Sequence, residues 1–307
     1  MDLAALRIFK AVAEYGGINK AAEKLHRVPS NVTTRVKQLE ESLGTTLFVR
    51  QNRRLALSQE GRLLLTYADR LLRLSSEAEN ALRNGKPRGT LRIGALESTS
   101  ATRLPPVLSR YHQLYPDVQM ELVTGTSGAL VSYVHKQDIE AAFVAEPFNA
   151  QALATQSAFV EELVLITPKS FGRIRSPKDI GKRTVIAFAT GCSYRRRLEA
   201  WLATANVLPD RVMEFQSYHA IVACVAAGSG IALVPRSVIE MTRGAREVIV
   251  NLLPAGIAKA RTQLIWRPEH HSVALEALQK LVNSAPRTTA GSATSTHSRL
   301  RNKGHRS

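Results

Sequence analysis

Cysteine, long apolar runs and acidic residues are all scarce in this chain of 307 residues. The two cysteines, Cys192 and Cys224, stand far apart, which argues against a disulfide framework. No stretch approaches the roughly 20 consecutive apolar residues that a membrane-spanning helix requires. No apolar signal segment opens the chain either. We therefore expect a cytoplasmic protein that does not partner a membrane.

The shortage of acidic residues leaves a strong basic excess. The chain has 42 Lys and Arg against 25 Asp and Glu, a formal net charge of +17. Residues 1–88 carry 16 basic and 9 acidic side chains, and residues 286–307 carry 5 and 0, so the excess is densest at the two ends. Such a charge favours a polyanionic partner, either nucleic acid or an anionic membrane surface. Charge alone does not choose between them.

Motifs of catalysis are also missing. The eight histidines show no metal-ligand spacing, and the adjacent pair His270-His271 cannot form the i, i+4 arrangement of a helical zinc site. There is no Gly-x-Ser-x-Gly elbow and no phosphate-binding loop ending in Lys-Ser or Lys-Thr. Gly228-Ser229-Gly230 lacks the context of a dinucleotide site. We expect neither an enzyme nor a protein with a cofactor or metal.

What is present begins with three short helices. Apolar spacing predicts a helix over residues 2–14, ended by Gly16-Gly17, and a second over 19–25. A third begins near Pro29 or Ser30, where proline needs no amide partner and serine can cap. The turn between the last two helices is short. This arrangement is typical of a helix-turn-helix that reads DNA.

The third helix has one apolar row and one polar face. Val32, Val36, Leu39 and Leu43 recur at helical spacing and are predicted to face the core. The outer face carries short hydrogen-bonding groups and cations, which suit base edges and phosphates. An ordinary solvated helix face is the alternative interpretation. The candidate DNA-contacting residues are Pro29, Ser30, Asn31, Thr33, Thr34, Arg35, Lys37 and Gln38.

Residues 48–57 follow as two short apolar segments that bracket a turn rich in Arg and Asn. They predict a two-stranded wing, on which Arg50, Arg53 and Arg54 contact phosphates. Ser58 then caps a long helix. Its apolar residues alternate steps of three and four, which indicates a coiled-coil seam for self-association, or alternatively packing on its own domain. The seam consists of Leu64, Tyr67, Leu71, Leu74, Ala78 and Ala81.

These motifs carry a family resemblance. AAEKLH, VTTRVKQLEESLGTTLFVR and LxLSQEGRLLL together resemble the amino-terminal domain of LysR-type transcriptional regulators. The chain departs from the family pattern in having Val28-Pro29-Ser30 where a tripeptide such as Ser-Gln-Pro is usual, and Thr33-Thr34 where Ser-Arg is common. The resemblance implies double-stranded promoter DNA and a small-molecule effector as partners, with homodimers or homotetramers formed through the linker helix. It admits RNA polymerase as a further partner.

The rest of the chain alternates strands and helices, which predicts parallel α/β construction. The expected fold class is thus α+β multidomain: a winged helix-turn-helix (1–58), a linker helix (59–88) and a two-lobed α/β domain (89–285). The resemblance makes that last domain periplasmic-binding-protein-like. Lobe 1 is expected at about 89–162 and 266–285, and lobe 2 at about 163–265. Residues 286–307 are predicted to form a basic disordered tail, which either adds DNA affinity or is an inert end.

A ligand cleft is expected between the lobes, where strands hand over to helices and the free amides at helix starts attract anions. A small polar or carboxylated metabolite is the hypothesis, although each Ser or Thr could simply cap its helix. Cys192 and Cys224 are expected to be unpaired thiols, with redox sensing as the alternative. Of Arg195-Arg196-Arg197, at most one is expected to face the cleft. The candidate effector residues are Ser98, Thr99, Ser100, Thr126, Ser127, Cys192, Ser193, Tyr194, Tyr218 and His219.

Overall fold

The computed structural model describes residues 1–51, 54–82 and 86–284. The predicted tail 286–307 lies outside these residues, as does Arg53. The amino-terminal part is a winged helix-turn-helix domain followed by a long helix. Its elements are α1 (Leu3–Tyr15), α2 (Ile18–Lys24), α3 (Pro29–Leu43), β1 (Phe48–Gln51), β2 (Arg54–Leu57) and α4 (Gln59–Leu82).

Local signals explain where these helices begin and end. The Asp2 carboxylate accepts a hydrogen bond from the Ala5 amide at 2.7 Å and caps α1. Gly16 ends α1 in the left-handed conformation, with φ of 70°. Helix α3 starts with Pro29 in its first turn, and Val28 is its N-cap residue. The expectation that Ser30 caps α3 was wrong, because Ser30 already lies inside the helix.

Helix α4 is joined rigidly to the wing. Ser58 caps it, since its hydroxyl oxygen accepts from the Gly61 amide at 2.8 Å, and the same hydroxyl donates to the Thr46 carbonyl at 2.7 Å. Gly61 packs so closely on the wing that a Cβ there would lie 2.1 Å from the Leu47 carbonyl oxygen. The first turn of α4 is therefore packed closely against the DNA-binding domain.

The exposed face of α4 contains only part of the predicted seam. Leu64 packs against the winged domain with Ala68 and Leu72, so it belongs to the packed face of the helix. The side chain of Ala81 lies outside the described residues. The other predicted seam positions are exposed, and Leu63 takes the place of Leu64 beside them. We call this exposed row the α4 stripe: Leu63, Tyr67, Leu71, Leu74 and Ala78.

Lobe 1 of the carboxy-terminal domain contains a mixed sheet covered by helices. Strands β3, β4 and β5 are parallel, and β11 runs antiparallel to β5. The elements are β3 (Gly89–Ala95), α5 (Glu97–Thr102), α6 (Leu104–Leu114), β4 (Val118–Thr124), α7 (Ser127–His135), β5 (Ala141–Ala145), β11 (Lys259–Trp266) and α12 (Val273–Ser284).

Lobe 2 is built from shorter strands. Strands β7 and β8 are parallel, whereas β9 and β10 pair antiparallel with the strand that enters from lobe 1. Two 3-10 turns, Pro177–Ile180 and Arg243–Glu247, lie between these elements. The elements are β7 (Val185–Ala187), α8 (Ser193–Ala203), β8 (Val212–Glu214), α9 (Tyr218–Ala226), β9 (Ala232–Pro235), α10 (Arg236–Met241), β10 (Val248–Asn251) and α11 (Ala255–Ala258).

One strand, β6 (Ala154–Pro168), runs through both lobes. Its first part pairs antiparallel with β11 in lobe 1, and its last part pairs with β9 and β10 in lobe 2. The predicted parallel construction therefore holds for β3, β4 and β5 and for β7 with β8, whereas the strands that pair with β6 run antiparallel to it. The chain also returns to lobe 1 at Lys259, earlier than the predicted position 266, because the whole of β11 pairs within the lobe 1 sheet.

A buried ion pair lies where β6 crosses between the lobes. The Glu161 side chain is 1% exposed, and its two oxygens accept from Arg103 Nε at 2.6 Å and Arg103 Nη2 at 3.0 Å. The Ser237 hydroxyl of lobe 2 donates to the same carboxylate at 3.1 Å. The crossing point is thus tied to elements of both lobes.

The structure also bears on the expectations about thiols and membranes. Both Cys192 and Cys224 are free, as predicted. Among the helices of the described residues, none combines the length and apolarity needed to cross a bilayer.

We expect Gly61→Ala to lower the stability of the winged domain by about 1–3 kcal/mol, because the new methyl group would overlap a backbone oxygen that cannot rotate away. Urea unfolding of the full chain measures this. Gly172→Ala is the control, since that glycine is exposed, a Cβ there has no atom within 4 Å, and the expected change is about 0.5 kcal/mol or less. Equal stability of the two variants would contradict the close approach of α4 to the wing.

Candidate functional site

The recognition helix α3 presents its predicted polar face to solvent. Val32, Val36 and Leu39 are buried against α1 and α2 or the wing, as predicted. Leu43 is 39% exposed, so its assignment to the core was wrong. It is the last residue of α3 and extends past the part of the helix that the core covers. The predicted contact residues are exposed except Thr33, which is half-buried: Pro29, Ser30, Asn31, Thr34, Arg35, Lys37 and Gln38.

Two hydroxyls on this face already have their hydrogens engaged. Thr34 Oγ1 donates to the Ser30 carbonyl at 2.9 Å, and Thr33 Oγ1 donates to the Pro29 carbonyl at 3.0 Å. Each oxygen keeps a lone pair, so in this conformation both act as acceptors. Acceptors suit the amino groups of adenine and cytosine in the major groove. The Lys37 and Arg35 cations on the same face suit guanine or phosphate.

The wing lies beside α3 and is held there by a residue that the sequence did not single out. The Glu40 carboxylate accepts from the Leu47 amide at 2.7 Å and the Phe48 amide at 3.2 Å. Its bonds join the last turns of α3 to the start of β1. Arg50 is exposed on β1, opposite Leu55 of β2. The backbone of Arg54 pairs with Gln51, whereas its side chain lies outside the description.

The second site is the cleft between the lobes, where helices from both lobes begin. Thr126 caps α7 from lobe 1, with its hydroxyl accepting from the Ala129 amide at 3.3 Å. Cys192 and Ser217 are the N-cap residues of α8 and α9 in lobe 2. The cavity between them is about 10 Å³ in volume, room for one water molecule at most. Its lining is Leu96, Glu97, Gly125, Thr126, Phe188, Cys192, Ser193, Tyr194 and Tyr218.

The cleft is closed because the lobes bond across it. Ser193 Oγ of lobe 2 lies 2.7 Å from Ser127 Oγ and 2.6 Å from the Ala145 carbonyl oxygen, both in lobe 1. The Gly128 amide donates to the Gly191 carbonyl at 3.2 Å. Gly191 has φ of +97°, and a Cβ there would lie 3.0 Å from Thr126 Oγ1, so the close approach favours glycine. We call these bonds the interlobe latch.

Three hydroxyl oxygens on α5 and α8 are buried without a hydrogen-bond partner, Ser98 Oγ, Thr99 Oγ1 and Tyr194 OH, and Tyr194 lines the cavity. Burial raises the pKa of Tyr194 and of Tyr218 above its usual value, so both phenols stay protonated and can donate. The Ser98 hydroxyl lies near enough to both phenols to oppose that rise, but without the geometry of a hydrogen bond. Buried unsatisfied hydroxyls cost about 1–3 kcal/mol each, so a ligand that satisfied them would gain affinity.

The remaining predicted effector residues lie apart from the cavity lining. The Ser100 hydroxyl donates to the Glu97 carbonyl at 2.8 Å, and His219 is exposed. Burial raises the pKa of the Cys192 thiol, which keeps the thiol protonated and counts against redox sensing.

None of the three consecutive arginines is in the cavity lining. Arg195 pairs with Glu199 and Glu214, and Arg196 is exposed. Arg197 donates to the Glu146 carbonyl at 2.9 Å and the Gly256 carbonyl at 3.3 Å.

Four lining residues, Leu96, Glu97, Gly125 and Phe188, were not among the candidates. Leu96, Gly125 and Phe188 follow directly after β3, β4 and β7, and Glu97 comes one residue after Leu96, so their place at strand ends was the available signal. The candidates were hydroxyl, thiol and imidazole side chains, a choice that passes over apolar residues and a carboxylate.

A winged helix-turn-helix, a linker helix and a two-lobed α/β domain define the class of a ligand-responsive DNA-binding protein. Residues 3–62 match the family model described as bacterial regulatory helix-turn-helix protein, lysR family, and residues 84–286 match the LysR substrate binding domain. The chain belongs to the LysR family and is a DNA-binding transcriptional regulator with an effector-binding domain. This family consists of regulators rather than enzymes.

The sequences of related regulators align with most of this chain. It is 38% identical to the HTH-type transcriptional regulator YusT of Bacillus subtilis (strain 168), over 88% of this chain and 90% of YusT. It is 34% identical to the HTH-type transcriptional regulator SoxR of Arthrobacter sp. (strain TE1826), over 94% and 99%.

Solved structures share the fold. Full-length CbnR complexed with its target DNA superposes with a TM-score of 0.67 at 23% identity, over 92% of this chain and 99% of CbnR. Full-length BenM superposes with a TM-score of 0.55 at 22% identity, over 92% and 96%.

We expect Ser193→Ala to loosen the interlobe latch, because it removes the hydroxyl that bonds Ser127 and Ala145 across the cleft. The Gly128 amide, which donates across the lobes, should then exchange its hydrogen faster, by about fivefold for a loss of roughly 1 kcal/mol. Hydrogen exchange with mass spectrometry measures this. Ser229→Ala, an exposed serine of lobe 2, is the control. Unchanged protection at Gly128 in Ser193→Ala would contradict the latch.

Proposed function

We propose that α3 enters the major groove of promoter DNA and reads base edges with Ser30, Asn31, Thr33, Thr34 and Lys37. Pro29, Arg35 and Gln38 lie on the flanks of the same face. Arg50 contacts phosphate from the wing, and the sequence makes Arg53 and Arg54 candidates for the same role. The observation that supports this most is the exposed face of α3, where acceptor oxygens and cations stand together on a helix held firmly by its buried row.

The α4 stripe supports a dimer. Leu63 is 61% exposed, Tyr67 53% and Leu74 63%, an unusual density of apolar surface on one side of a helix. Pairing two such helices would bury these side chains and place two recognition helices on neighbouring half-sites. We assign homodimer formation to the stripe, and a tetramer would need a further interface in addition.

The cleft is the proposed effector site. A small polar molecule bound there would engage the buried hydroxyls and separate the lobes, since the closed cavity has no room for it. The altered lobe arrangement would change how paired subunits sit on DNA and how they meet RNA polymerase. Because its DNA target is chromosomal, the protein would act in the cytoplasm.

The DNA assignment is tested with the full-length protein on sites selected from random double-stranded DNA, by fluorescence anisotropy. We expect Thr34→Ala to cut discrimination between selected and scrambled sites by about 1–3 kcal/mol. Lys37→Ala should weaken DNA binding by about tenfold. If Lys37 contacts a phosphate, the slope of log K against log salt concentration should also become shallower by roughly one in this variant.

The control for DNA binding is Lys182→Ala, which removes an exposed cation of lobe 2 far from α3 in the chain. It should leave affinity and discrimination unchanged. Wild-type discrimination in both α3 variants would overturn the assignment of this face to base reading.

Self-association is tested by analytical ultracentrifugation. We expect Leu74→Glu to shift the full-length protein toward the monomer, because a carboxylate would have to be buried in the paired stripe. Ser76→Glu adds the same charge to an exposed position on the opposite side of α4 and should leave the assembly unchanged. A dimer of wild-type stability in Leu74→Glu would place the interface elsewhere.

A further inference from the structure

The inference concerns the electrical character of the cleft, and it rests on the proposed effector site. Glu97, the first residue of α5, is the one side chain with a formal charge in the cavity lining that the structure describes. The other lining residues are apolar or carry hydroxyl or thiol groups. Any effector in this cavity must therefore lie beside a carboxylate.

Three arginines on the elements around the cleft are already engaged elsewhere. Arg103 is paired bidentately with Glu161, and Arg195 bonds Glu199 at 2.7 Å and also pairs with Glu214. Arg197 donates to two backbone carbonyls. A bound anion would gain no charge partner from these arginines and would meet the like charge of Glu97, which disfavours it.

Glu97 is half-buried, and burial raises the pKa of its carboxyl, while the Tyr218 amide and the nearby His219 act in the opposite direction. A carboxylate has about four lone-pair positions and can accept from several donors at once. The group is thus partly desolvated and retains acceptor capacity. A cationic donor would restore the interactions that burial removed.

The surrounding groups complete the pattern. The rings of Phe188 and Tyr218 lie 4.7 Å apart at 52° and both line the cavity, so they offer aromatic surface to an ammonium or to an apolar body. Tyr194 is 2% exposed, lines the cavity and has a hydroxyl without a partner, and the Ser98 hydroxyl lies close to it. These hydroxyls can donate to an oxygen of the ligand.

We propose that the effector is a small primary amine, whose ammonium group pairs with Glu97 and whose oxygen, a hydroxyl or carbonyl, accepts from Tyr194 and Ser98. The sequence alone led to the hypothesis of a small polar or carboxylated metabolite. The proposal keeps the polar metabolite and excludes a carboxylic acid as the effector. Because the closed cavity holds about 10 Å³, the amine enters only when the interlobe latch opens.

The test is calorimetric titration of the full-length protein with a panel of aliphatic and aromatic primary amines bearing a hydroxyl or carbonyl oxygen. Each amine is matched to a carboxylate with the same carbon skeleton. We expect binders among the amines and none among the matched acids. Glu97→Gln should weaken the best amine at least tenfold, whereas Glu276→Gln, which changes an exposed carboxylate on α12, should leave it unchanged.

Folding is controlled by comparing the thermal unfolding of the variants with wild type, and Glu97→Asp supplies a second variant that keeps the charge. Partial retention of amine binding in Glu97→Asp, with loss in Glu97→Gln, supports the pairing. A second readout is Gly128 amide exchange, which the best amine should accelerate by opening the latch.

Three outcomes overturn the proposal: binders found only among the acids, an amine whose affinity is the same in Glu97→Gln, or no amine binding at all. These outcomes can be distinguished from the result that the cleft is not the effector site at all. Acid binding that Ser98→Ala abolishes would leave the effector site standing and refute only the amine. Binding of either class that Ser98→Ala and Tyr194→Phe leave untouched would refute the cleft as well.

Discussion

The two lobes depend on one strand that belongs to both. Strand β6 is 15 residues long, and its hydrogen bonds pass from β11 to β9 and β10 at the crossing, so any relative motion of the lobes must twist this strand. Glu161 at the crossing is buried, and a buried carboxylate is tolerated only when it is paired with a cation and its oxygens accept hydrogen bonds. Arg103 and Ser237 meet that need from opposite lobes. The same bonds that stabilise the charge thereby set where the domain can bend.

The amino-terminal half could be predicted closely, because its signals are local. Asp2, Gly16 and Pro29 mark helix ends through backbone chemistry that acts within a few residues. The polar face of α3 follows from the spacing of Val32 and Val36. Leu64 and Leu43 were misplaced because helical periodicity gives a direction but does not say which neighbour, if any, covers it. Side-chain contacts such as those of Glu40 with the wing depend on loop geometry and have no sequence signature.

For the carboxy-terminal domain, the sequence predicted the positions of helices and strands but not the arrangement of residues in the cleft. Strand positions were recognisable, whereas their direction was not, since β11 and β6 run antiparallel through pairings between distant segments. Thr126, Cys192, Ser193, Tyr194 and Tyr218 were brought together around the cavity as expected. Which of them face a ligand and which bond the lobes to each other is decided by distances of a few tenths of an ångström. Ser193 and Tyr194 are neighbours in the sequence, but Ser193 bonds the lobes to each other whereas Tyr194 lines the cavity with an unpartnered hydroxyl.

Because Ser58 and Gly61 fix the start of α4 to the winged domain, a tilt of this helix would move that domain with it. Helix α4 contains 24 residues and is therefore about 36 Å long. A rod of this length that cannot bend at its base acts as a lever arm. A tilt of roughly 10° at the sensor end moves the DNA-reading end by about 6 Å, close to the rise of two base pairs at about 3.4 Å each. Small rearrangements among the sensors can thereby be read on DNA as a change of register.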